Sequence, residues 1–249
     1  PSILARIQPI QVRHFRLEMK SNTTVVRQLS LPSDGIEAAK YIQQAVRAYP
    51  ELYFSKIVVL GEGASEEIIL PAISEAMGTS IDKSFVAMVP LGGRHVNHMW
   101  RLLTDLKIPF VTLLDLDWGR FGGGWGRIKN VVSKLIEYGE DSKDIFGEHL
   151  NPLGHQYNLS AFDSIRADDV NQIKSWTNWL RNFGVYFSNP LDIDYSMLKA
   201  FPDQYQITPD ESSTGPSTNS DPRNAVLGNE GNPALFEDDQ HNLRWYRYL

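Results

Sequence analysis

Val58-Val59-Leu60-Gly61-Glu62-Gly63-Ala64-Ser65-Glu66-Glu67-Ile68-Ile69-Leu70 decides the fold, together with Leu113-Leu114-Asp115-Leu116-Asp117. In the first piece, Lys56 to Leu60 is a short apolar, β-branched run that stops at Gly61-Glu62-Gly63, and Ser65 to Met77 then reads as a helix ending near Gly78. The order is strand, loop, helix. It recurs in outline: Ser84–Val89 reads as a second strand, Pro90–Gly93 as a turn and Arg94–Leu106 as a helix, and Pro109–Leu114 is a third strand running into Asp115-Leu116-Asp117. Strands alternating with helices predict an α/β fold with a parallel sheet and right-handed crossovers, whose sites gather at the carboxyl ends of the strands.

Working outward, residues 1–50 form an N-terminal extension, with Thr23–Leu31 extended and a packing helix over Ile36–Tyr49 that Pro50 ends. Residues 51–118 are the first part of the α/β core. Residues 119–181 read as a helical insertion, with helices over Ile128–Tyr138 and around Ala167–Asn182; residues 182–207 return to the core through a fourth strand, Asn182–Ser188. Residues 208–249 are a polar, Gly- and Pro-rich loop followed by an aromatic and basic tail, Leu243–Leu249, expected to dock back on the body.

The 249 residues, 42% of them hydrophobic, suffice for one substantial core. The chain lacks cysteine, which removes disulfides, thiolate metal sites and cysteine nucleophiles, and leaves carboxylates and the six histidines as metal ligands. Hard, oxygen-liking cations are therefore expected. The net charge of -6 argues against coating of nucleic acid by bulk charge alone, but not against a nuclease, because bound cations reverse the sign of an acidic cluster locally. No signal peptide or membrane-spanning stretch is legible, so a cytoplasmic location is expected. The start at Pro1 without Met suggests a piece of a longer protein.

Acids just beyond successive parallel strands converge on one rim even when far apart in sequence. Glu62 and Glu66 are spaced to point from the first turn of a helix toward that rim, with Glu67 facing elsewhere; Asp115 and Asp117 alternate with Leu116 and would share one face of an extended segment. Asp192 and Asp194, beyond the fourth strand, are well placed to complete a second site, and a polar turn after Asn189-Pro190 is the lesser alternative. Such a set suits two divalent ions that activate water and stabilise the leaving oxygen in phosphodiester hydrolysis. His95 and His98, three apart on a helix, could ligate a metal but read better as packing or hydrogen-bonding residues, since no third soft ligand is evident. Gly92 and Gly93 open a helix whose N–H groups, with Arg94, could accept phosphate, and Trp118, Arg120 and Gly122–Gly124 flank the acidic pair where DNA could stack.

These motifs resemble the glutamate and DxD motifs of the Toprim domain. The wider text is similar to the C-terminal region of class 2 OLD-family (overcoming lysogenization defect) endonucleases, including Pro90–Arg101 and Arg244–Leu249. The resemblance implies a Toprim fold with an inserted helical region and a DNA endonuclease using two Mg2+ ions, whose places Mn2+ or Ca2+ could take. It assigns Glu62, Glu66, Asp115 and Asp117 as ligands, with Glu62, Asp115 and Asp117 catalytic. For the second metal the family commonly uses Ser before Glu, and Asp192 and Asp194 depart from that in residue type. A family lysine near the scissile phosphate is expected beyond Leu249. The family also places an ABC-type ATPase before this region, in a defence or repair protein; no P-loop is present here, so ATP hydrolysis is not expected, and this piece could be monomeric.

Two other readings compete. A haloacid-dehalogenase-like phosphatase would use Asp115 as nucleophile and Asp117 as acid, but that family puts its DxD after the first core strand, whereas here a Glu-bearing unit comes earlier. A non-catalytic interaction domain would keep the fold without the chemistry.

Overall fold

The computed structural model describes residues 6–18, 20–28, 40, 43–44, 47–91, 96–146, 170–205, 226–231, 236 and 238–248. Of the expected helix over Ile36–Tyr49 only residues 40, 43, 44 and 47–49 are described, with 40, 43, 44, 47 and 48 helical, and the Gly92, Gly93, Arg94 and His95 turn lies outside the described residues. The chain divides into two compact units, residues 1–113 with 134–141, and residues 114–133 with 142–249.

The first unit contains an antiparallel hairpin, β1 (Arg13–Glu18) and β2 (Thr23–Gln28), paired with Arg16 opposite Val25. Only the second of these strands was legible in the sequence. The central strands are β3 (Ile57–Gly61), β4 (Val86–Pro90) and β5 (Phe110–Asp115). β3 runs parallel to both neighbours, with Val59 opposite Met88 on one side and Val111 on the other. The β-branched run makes this strand because its inward residues Val58 and Leu60 are fully buried.

Helix α1 (Ala64–Ala76) packs on β3 and β4. Helix α2 (Val96–Asp105) buries Met99, Trp100, Leu102 and Leu103. Trp100 Nε1 donates to Thr112 Oγ1 at 2.8 Å, which satisfies two polar groups in the core. The last turn of α3 (Trp125–Tyr138) also belongs to this unit, through Tyr138 against Trp100, ring centroids 5.9 Å apart, and Glu137 accepting from Asn97 at 3.2 Å.

The second unit begins where β5 continues past Leu113. It holds β6 (Val185–Ser188), the neighbour of β5 in a four-stranded sheet of order β4-β3-β5-β6. Helices α3 and α5 (Val170–Leu180) are inserted between β5 and β6, as the sequence predicts, together with the short α4 (Ser142–Phe146), which it does not. Trp125, Phe146 and Trp176 pack edge to face among them. The fourth strand starts later than expected because Arg181–Phe183 forms a 3-10 turn closed by Gly184 in the left-handed region at φ 72°. The class is mixed α/β, a central sheet flanked by helices, as the sequence indicates. Among the described residues no helix is long and apolar enough to cross a membrane.

Helix α6 (Ile193–Ala200) is capped by Asp192, which accepts from the Tyr195 backbone N–H at 2.9 Å. The aromatic, basic tail forms helix α7 (Gln240–Tyr248), packed on α6. Between them lies a cluster of Leu191, Tyr195, Leu227, Phe236 and Leu243. Asp239 fastens this cluster, accepting from the Tyr195 hydroxyl at 2.7 Å and Lys199 Nζ at 2.5 Å. Burial alone would raise its carboxyl pKa, but the hydrogen bonds from Lys199, Tyr195 and Asn242 outweigh burial and hold it below the usual carboxylate value.

A lowered folded-state pKa adds stability above the unfolded value, about 3.9 for Asp, and loses it as pH falls through the folded value. We expect Asp239→Asn to unfold at lower denaturant concentration than the parent near pH 7. The difference should shrink below about pH 4 as the parent carboxylate titrates. Urea unfolding across that range checks both points.

Candidate functional site

In the first unit, β3 ends in Gly61 and the chain turns through Glu62 and Gly63 into α1. Glu66 sits in the first helical turn, only 2% exposed, and its Oε2 accepts from the Gly63 backbone N–H at 2.9 Å. The Gly-Glu-Gly spacing has a steric cause, since a Cβ on Gly61 would lie 2.8 Å from Glu66 Cβ. Glu62 is half-buried and Glu67 exposed.

In the second unit, Asp115 closes β5 and its Oδ1 accepts from Ser188 Oγ at 3.0 Å. The extended path expected for Asp115 and Asp117 stops there. Asp117 takes the left-handed conformation at φ 50°, so the two acids do not share a strand face. Aspartate tolerates this region better than most residues. The turn is fixed from the end of β6 and the segment after it, where Leu116, Asp117 and Trp118 donate their backbone N–H groups to the carbonyls of Ser188, Leu191 and Pro190 at 3.1, 2.9 and 2.8 Å.

Both carboxylate oxygens of Asp117, which is 8% exposed, are held by guanidinium groups. Oδ1 meets Arg120 Nη1 at 2.5 Å, and Oδ2 meets Arg127 Nε at 3.0 Å together with Arg127 Nη2. Arg120 also lies 3.5 Å from Asp192 Oδ2, and donates to the Tyr246 hydroxyl at 3.1 Å and the Val226 carbonyl at 3.2 Å. Tyr246 donates to Asp192 in turn. Burial would weaken the Arg120 charge, but Tyr246 and Asp117 outweigh it and raise its pKa above the ordinary value. Burial, then the hydrogen bond to Asp192, pushes the Tyr246 phenol up to about 12.

Asp117 and Asp192 are thus brought together through Arg120. Asp194 lies in the first turn of α6, half-buried. Arg120, read in the sequence as a DNA contact, is committed to these internal partners, and Trp118 is buried. Ser188, Arg127 and Tyr246 were not foreseen. Arg127 stands ten residues from Asp117 on a helix whose start was not legible, and the tail signalled docking without signalling Tyr246.

Hard carboxylate oxygens suit a divalent cation in donor type. Among the described residues no group of three His, Asp or Glu gathers as a metal site, and guanidinium nitrogens occupy both oxygens of Asp117.

The family model of the overcoming lysogenization defect protein-like TOPRIM domain matches residues 53–117. This stretch is an OLD-like Toprim segment. It spans β3 to Asp117 and so contains Glu62, Glu66, Asp115 and Asp117. Toprim domains typically bind divalent metals. Among solved structures, the C-terminal region of the Xanthomonas campestris pv. campestris OLD protein is similar at 20% identity and a TM-score of 0.41, covering 79% of this chain and 84% of that one. The C-terminal region of the Burkholderia pseudomallei OLD protein is similar at 16% identity and a TM-score of 0.38, covering 78% and 88%. No curated protein matches.

The Toprim segment ends in a turn with no room for a side chain at Gly123, where a Cβ would lie 1.8 Å from the Asp117 carbonyl oxygen. Gly123→Ala should cost about 3 kcal/mol or more of stability, since backbone must move. Gly126→Ala, with open space at its Cβ, should change stability by about 1 kcal/mol or less. Denaturant titration of the two variants checks the contrast.

Proposed function

We propose that this chain is the nuclease portion of a larger ATPase–nuclease and hydrolyses DNA phosphodiester bonds with divalent cations. The observation that carries this reading is the Toprim match over residues 53–117, in which Glu62 follows β3 and Asp115 ends the parallel β5. Glu62, Glu66, Asp115 and Asp117 are the proposed ligands, with Asp192 and Asp194 as further candidates. Mg2+ is the expected ion, with Mn2+ or Ca2+ as substitutes. Bound cations would supply water activation and counter-charge for the phosphodiester.

The protein's own groups prepare the carboxylates. Ser188 orients Asp115 by a hydrogen bond, and burial of Glu66 beside Gly61 limits its rotamers. Arg120 and Arg127 both pair with Asp117, so a divalent ion at this carboxylate would compete with them. The same pairing supports a second reading, a non-catalytic interaction domain in which Asp117 and Asp192 serve only to anchor Arg120.

Incubation with supercoiled plasmid in Mg2+ or Mn2+ separates the two. The nuclease reading predicts nicked or linear product that falls to background in Asp115→Ala. Absence of cleavage, together with absence of divalent-ion heat in calorimetry, would replace it with the interaction-domain reading.

A further inference from the structure

The β1–β2 hairpin of the first unit is inverted. Its apolar residues Phe15, Leu17 and Val26 are 66%, 53% and 50% exposed, whereas a sheet packed on one face ordinarily turns such residues inward. The less exposed face carries His14, Arg16, Val25 and Arg27. His14 Nε2 lies 2.8 Å from the Tyr53 carbonyl, and Arg16 reaches the Lys56 carbonyl only at 3.4 Å.

Beneath this face is a pocket of about 270 Å³, lined by Arg16, Glu18, Val25, Arg27, Lys107 and Pro109 among others. Its lining holds three cationic residues and one acidic residue, Glu18, whose carboxylate accepts from Ser21 at 2.7 Å. Arg27 Nε is sealed from solvent with no hydrogen-bond partner among the described residues. No ion pair joins Arg16, Arg27 or Lys107 to a carboxylate among those residues. A buried guanidinium N–H without an acceptor is costly, and native structures seldom leave one so.

Lys107 reaches the pocket from the end of α2. It adopts φ 56°, the left-handed position that usually falls to Gly or Asn after a helix, and its backbone N–H closes on the Thr104 carbonyl at 2.9 Å. The volume falls just below the roughly 300–1,000 Å³ of clefts that hold drug-sized molecules. Converging positive charge in a small pocket calls for a compact, multiply charged acceptor.

We propose that Arg16, Arg27 and Lys107 form a binding site for a phosphate-class oxyanion, either a free anion or a nucleic-acid backbone phosphate. The site uses none of the acidic motif residues, so it stands or falls independently of the nuclease reading.

The test titrates the whole chain with inorganic phosphate and with pyrophosphate, by calorimetry and by the shift in thermal unfolding. Saturable binding is expected, weakened about tenfold or more in Arg27→Gln, the scale of a lost charge-assisted hydrogen bond. Lys107→Asn, which keeps the left-handed turn, should weaken it too, and exposed Lys83→Gln should leave it unchanged. A short single-stranded oligonucleotide that pyrophosphate displaces, and that Arg27→Gln binds more weakly, identifies the source as a nucleic-acid backbone. Binding of pyrophosphate without such competition identifies a free anion. Absence of saturable binding to either anion overturns the proposal, as does binding that both Arg27→Gln and Lys107→Asn, folded by circular dichroism, leave intact.

Discussion

Asp117 is the point on which the second unit turns. It is almost wholly buried, its backbone is left-handed, and both oxygens are closed by guanidinium groups from Arg120 and Arg127. A carboxylate taken out of water in this way needs compensating charge, and removing one partner of such a pair leaves the other uncompensated. Arg120 spreads the consequence outward. Its remaining donors reach Tyr246 on α7 and the Val226 carbonyl, and Tyr246 reaches Asp192 at the start of α6. Arg120 therefore ties the chain's tail to the turn after β5.

The same turn rests on backbone pairing and on glycine. Leu116, Asp117 and Trp118 donate to the segment Ser188–Leu191, and Gly123 folds back so closely that its missing Cβ leaves room for the Asp117 carbonyl. Gly61 plays a comparable part in the first unit by admitting Glu66 against the strand end. In both places a motif acid is buried beside a position where only glycine fits. Packing, and not solvent exposure, sets the rotamers of Glu66 and Asp117.

The strand–loop–helix order, the parallel pairing of β3 and β5 and the inserted helices were legible because hydrophobic runs of Lys56–Leu60 and Pro109–Leu114 have strand length and the acids interrupt them abruptly. The hairpin partner Arg13–Glu18 was not legible, since its alternation puts Phe15 and Leu17 outward and mimics a polar extension. The turn at Asp117 was hidden for a different reason. Asp-Leu-Asp after a strand reads as continued alternation, and only the pairing with Ser188–Leu191, more than seventy residues away, bends it. Arg127 and Tyr246 were invisible as partners because long-range ion pairs leave no local pattern.

We propose that Asp117, paired with Arg120 and Arg127, is a cation-binding carboxylate. Manganese binding followed by electron paramagnetic resonance, in the parent chain and in Arg120→Gln, tests it most directly. Removing a competing charge-assisted contact should tighten Mn2+ binding by about tenfold. A folded Arg120→Gln variant whose Mn2+ affinity equals or falls below the parent's would contradict the claim and leave Asp117 as a structural anchor.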